Sequence, residues 1–73
     1  HAAKKDHQRA IEDYDEAIRL MPNLAIAYNN RAREFEVTGE RQKAIADYRQ
    51  ALLLAPSLAA VIRYNLQRLG AEP

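Results

Sequence analysis

Metal binding is the first chemistry to test, and it rests on two histidines, His1 and His7. Imidazole is a frequent metal ligand. These two lie six apart at one end of the chain, and no cysteine or carboxylate set sits around them at ligand spacing. They read as surface histidines with no metal. Phosphate chemistry needs a glycine-rich loop, and the only glycines are Gly39 and Gly70. There is no nucleophile elbow and no zinc signature. The chain is therefore expected to be no enzyme and to use no cofactor. With no cysteine, disulfides and thiol chemistry are excluded. Recognition is what remains. Arg31, Arg33, Arg41, Lys43, Arg63 and Arg68 are candidate phosphate contacts, but 11 basic residues against 10 acidic ones leave a net charge of +1. That balance argues against nucleic acid. Tyr64 lies off the apolar stripe of its segment, so it reads as a contact residue.

These side chains must be positioned by helices. Ala10, Ile11, Tyr14, Ala17, Ile18 and Met21 recur three and four apart, which predicts a helix over 6–21 with one apolar stripe. Arg9 with Asp13, and Asp15 with Arg19, are four apart on its wet side. Pro22 forces Met21 out of helical geometry and ends it. Asn23 is the expected N-cap of a second helix running to Val37, with Tyr28, Ala32 and Phe35 inward. Gly39 can close that helix in the left-handed conformation. A third helix spans 40–54, with Ala44, Ile45, Tyr48, Ala51 and Leu52 inward, and Pro56 ends it. Ser57 is the expected cap of a fourth helix, 58–69. Its buried side is expected to be Leu58, Val61, Ile62, Asn65, Leu66 and Leu69, with Arg63, Gln67 and Arg68 outward. Gly70 stops it.

The chain is also a duplication. Shifted by ~34 residues, Gln8, Ala10, Ile11, Asp13, Tyr14, Ala17, Leu20, Pro22, Leu24 and Ala25 fall on identical residues from Gln42 to Ala59. After Ala25 the identities stop. The spacing Tyr28-x2-Arg31-Ala32-x2-Phe35, then Ala44-x3-Tyr48, then Ala51 and Pro56, resembles the tetratricopeptide pattern W-x2-L-G-x2-Y, A-x3-F, P. Arg31 stands where leucine is usual and Ala32 where glycine is usual. The run Tyr28–Ala32 resembles a variant found in bacterial members. The resemblance covers one complete repeat, 24–56, and the second helix of a preceding one, 6–21.

That resemblance implies an all-α superhelix of four antiparallel helices, about two repeats with 57–69 as a C-terminal capping helix, in one domain spanning 1–73. Tyr14, Tyr28, Phe35 and Tyr48 take core positions. It also implies a scaffold that binds a peptide or partner helix in a concave groove. The residues placed to face that groove are Ile26, Asn29, Asn30, Arg33, Glu36 and Val37. Asparagine amides can pair with a peptide backbone, and Arg33 with a carboxylate. Some members clamp a C-terminal carboxylate from three successive first helices. Here only Asn30 and Arg33 resemble that set, and Ala60 and Tyr64 stand where a base is expected, so a tail clamp is not predicted.

Helix 6–21 resembles a second helix without its first. Repeat arrays need about three units. A second copy of the chain is the simplest source of the missing neighbour, as a symmetric dimer. An alternative is a regulatory or assembly segment cut from a larger enzyme, since the chain begins at His1 and not at Met. No apolar run approaches the ~20 residues of a membrane span and no leader is visible. The compartment is unknown, with the cytoplasm as default.

Overall fold

Four helices pack in sequence order, each antiparallel to the last. They are α1 (Lys4–Leu20), α2 (Ala25–Val37), α3 (Arg41–Leu54) and α4 (Ala59–Arg68). The structure is a computed structural model and describes residues 4–71, with side chains from Asp6 onward. His1 and the last two residues lie outside the described part. The result is a slab, 33 × 28 × 16 Å. The architecture is the all-α helical repeat that the resemblance implied. The α2–α3 interface is the most extensive, α1–α2 comes next, and α3–α4 is smaller.

The core follows the shared apolar stripes. Ala32, Ala44, Tyr48, Ala51 and Ile62 have no exposed surface, and Ile11, Phe35, Ile45 and Leu66 are buried around them. Alanines at 32, 44 and 51 bring helix backbones close, and Tyr48 fills the space this leaves. Tyr28, Leu52, Leu58 and Leu69 pack on the rim.

Helices α2 and α4 end the same way. The Glu40 N–H bonds the Phe35 carbonyl at 2.8 Å and the Gly39 N–H bonds that of Glu36 at 3.1 Å. Ala71 and Gly70 repeat this on Leu66 and Gln67, at 2.8 and 2.9 Å. Each is a helix-closing motif that needs one left-handed residue. Gly39 and Gly70 supply it, at φ 82° and 77°.

Several local expectations are corrected. Asn23 does not cap α2: the N-cap position is Leu24, with no side-chain bond. Pro22 and Asn23 form a turn closed by the Leu24 N–H on the Met21 carbonyl at 3.1 Å. Ser57 does not cap α4 either. It sits inside a 3₁₀ turn, Pro56–Leu58, and Leu58 takes the cap position. In both places backbone bonds do the work assigned to a side chain. Met21 falls outside α1 and is exposed. Val61 is exposed, not buried. Arg19 pairs with Glu16 rather than Asp15, because Asp15 turns to Arg31 at 2.6 Å.

Candidate interaction cleft

Arg31, at the position where leucine is usual, organises the middle of the molecule. Its guanidinium takes both oxygens of Asp47, at 2.7 and 2.8 Å, and reaches Asp15 at 2.6 Å. It also lies over the rings of Tyr28 and Phe35, 5.5 and 5.6 Å from their centroids. One side chain thus ties α1, α2 and α3. The Asp47 hydrogen bond raises the Arg31 pKa further, against burial, which lowers it. Asp47 is the one buried charged residue among the described ones, and the two-pronged geometry explains why it is tolerated.

A second polar cluster lies where α2, α3 and α4 meet. The Tyr48 hydroxyl donates to Glu36 Oε2, and Arg68 donates to the same carboxylate at 2.9 Å. Glu36 therefore links α2, α3 and α4. Burial alone would raise the Glu36 pKa. The bonds from Arg68 and Tyr48, with the nearby charge of Arg33, outweigh it and hold the carboxyl below its ordinary range. Burial and the Glu36 carboxylate push the Tyr48 hydroxyl up. Nearer α1, His7 Nδ1 lies 2.6 Å from Glu34 Oε1 and joins α1 to α2.

Between these clusters opens a cleft of about 320 Å³. All four helices line it: Tyr14 from α1; Asn30, Arg33, Glu34, Glu36 and Val37 from α2; Tyr48 from α3; Asn65 and Arg68 from α4. Its charges are unequal in freedom. Glu36 is held by Arg68 and Tyr48, and Glu34 by His7. Arg33 makes no hydrogen bond or ion pair among the described residues, so it is the free charge of the cleft.

Of the seven residues expected at a binding face, the cleft gathers Asn30, Arg33, Glu36 and Val37. Ile26 and Tyr64 are exposed elsewhere. Asn29 is half-buried, and its Oδ1 is shut from solvent without a partner, so that oxygen does not face the cleft. Tyr14, Glu34, Tyr48, Asn65 and Arg68 are added. The repeated tyrosines and the basic end of α4 were the available signals for three of these. No group of three metal-ligating side chains converges among the described residues, and four of the six candidate phosphate contacts are engaged. Arg31 holds Asp47, Lys43 holds Glu40, Arg68 holds Glu36, and Arg41 donates to the Leu69 carbonyl. No described helix is long and apolar enough to cross a membrane.

Residues 25–58 match one profile of the tetratricopeptide repeat, and residues 1–24 match a second profile of the same repeat. The chain belongs to the tetratricopeptide-repeat family. Such repeats generally mediate protein–protein interaction and are typically non-catalytic. Neither a curated protein nor a solved structure gives a match.

Proposed function

We propose that this chain is a non-catalytic interaction module whose concave cleft takes an extended peptide or a partner helix, and that it also self-associates through α1. The observation that carries the cleft reading is Arg33, a guanidinium with no hydrogen bond or ion pair among the described residues, in a cleft whose carboxylates are already bound. An incoming carboxylate gains a charge-assisted bond there without displacing an internal one. Asn30 and the amide nitrogen of Asn65 offer hydrogen bonds to a peptide backbone. Val37 and the Tyr14 ring supply apolar surface beside them. The partner expected is thus an acidic peptide segment with an apolar neighbour. The same reading serves if the chain is an assembly segment of a larger enzyme.

The test is selection from a random peptide library, followed by calorimetric titration. Selected peptides should be enriched in Asp and Glu. Arg33→Ala should weaken binding by ~10-fold or more, and Arg63→Ala, outside the cleft, should leave it unchanged. Asn29→Ala combined with Arg33→Ala should keep the fold and bind no more weakly than Arg33→Ala alone. Affinity indifferent to Arg33 would place the binding surface elsewhere.

A further inference from the structure

The chain holds one of its own carboxylates in a way that serves as a template. Glu36, on α2, accepts from the Tyr48 hydroxyl of α3 and from Arg68 of α4, the arginine at 2.9 Å. A neutral donor comes from one helix and a charged donor from the next. A carboxylate has two oxygens with several acceptor sites, so a hydroxyl and a guanidinium can share it. Tyr14, on α1, is the counterpart of Tyr48 in the ~34-residue correspondence. Its ring stands half-buried on the cleft wall, and its hydroxyl makes no hydrogen bond among the described residues. The residue 34 places before Glu36 is Ala2, whose side chain has no oxygen to accept such a bond. The next helix does supply a cation. Arg68 corresponds to Glu34, which His7 holds. The residue before Glu34 is Arg33, the guanidinium of the cleft without a bond among the described residues. The cleft thus contains the hydroxyl and the guanidinium of the template. The acids that line it, Glu34 and Glu36, are engaged with other groups.

We propose that the Tyr14 hydroxyl and the Arg33 guanidinium together seat the side-chain carboxylate of an Asp or Glu of the partner, as Tyr48 and Arg68 seat that of Glu36. This rests on the cleft reading above and names the second donor that reads the acid. Selectivity follows from the two donors. A guanidinium beside a hydroxyl asks for a charged acceptor with two oxygens. An amide of the same shape brings one oxygen and no charge, and its NH2 group meets the donors of Arg33. The seat therefore discriminates between an acid and its amide, which an apolar wall of the cleft would not do.

The probe is the strongest peptide of the library selection, synthesised with an acetylated start and an amidated end and titrated by calorimetry. Tyr14→Phe keeps the ring and removes the hydroxyl. It should weaken the peptide by about 5-fold and leave the melting temperature of the free chain unchanged. Replacing the peptide's acids by alanine, one at a time, should find one position at which Tyr14→Phe no longer matters, because the loss belongs to a single pair. Glutamine at that position should weaken binding to the parent chain by about 10-fold. A second readout is the magnetic resonance spectrum of the chain with isotope-labelled tyrosine. Peptide should move the Tyr14 signal, while that of Tyr48, whose hydroxyl is already bonded, should stay. Binding that needs Arg33 but is equal in Tyr14→Phe and the parent chain would overturn the seat and keep the cleft reading. Binding that needs a free chain end, and is lost on amidation, would also overturn the seat. Affinity indifferent to both residues, or a selection that yields no peptide, would overturn the seat and the cleft reading together.

Discussion

The middle of the chain and its two ends are built from the same residues and have different surroundings. Tyr48 in α3 has no exposed surface, whereas Tyr14, its identical counterpart in α1, is half-buried on the wall of the cleft. Asp47 holds a two-pronged bond from Arg31, and the identical Asp13 is exposed without one. Residue type alone therefore does not decide the role of a position in a repeat. The neighbours on each side do, and of the four described helices α2 and α3 have another packed before and after them.

The comparison breaks most readily at the tyrosines. Tyr48→Ala should cost ~3 kcal/mol or more by opening a cavity among four helices, a large part of the stability of a 73-residue chain. Tyr14→Ala should cost ~1 kcal/mol, because less surface is lost. Chemical denaturation of both variants checks the difference, and equal losses would dissolve the distinction. Next in size is Arg31→Ala, which leaves Asp47 buried and uncompensated. A loss of ~2–3 kcal/mol is expected, reduced from the fully buried case because Arg31 is partly exposed. Its counterpart Asn65→Ala should cost ~0.5 kcal/mol or less in the isolated chain. Replacing Arg31 and Asp47 together by leucine should recover most of the loss.

A smaller effect concerns acid. Glu36 titrates below its ordinary range because of Arg68 and Tyr48, although burial pushes the other way. Its stabilising contribution is present in full above the unfolded value, near ~4.3. It is lost as pH falls through the lower folded value. In Glu36→Gln that acid-sensitive component should vanish, and circular dichroism along an acid titration reads it. The counterpart of Glu36 is Gly70, just beyond α4, so no equivalent step is expected from that position.

Much of the fold was legible because a duplicated sequence states its own boundaries. Pro22 and Pro56, the two glycines, and the alanine and tyrosine stripes all recur or punctuate at the right places. The caps were not legible. Asn23 and Ser57 are good capping types, but the chain turns there through backbone bonds. Val61 was misplaced because helical periodicity assigns a face without saying whether anything covers it. Arg31 shows another limit. A pattern records that leucine is usual there, and not that Asp47, sixteen residues on, waits to bond a guanidinium. The cleft was half legible for a similar reason. Reasoning along one helix found Asn30, Arg33, Glu36 and Val37, while Tyr14, Tyr48, Asn65 and Arg68 come from helices that only packing brings together.

The most direct test of the contrast between a buried middle and more exposed outer helices is residue-resolved amide hydrogen exchange at low protein concentration. The account predicts the slowest exchange in α2 and α3, around Ala32, Ala44, Tyr48 and Ala51, and faster exchange in α1 and α4. Protection equal to that of α3 along the whole of α1, in dilute monomeric chain, would contradict it.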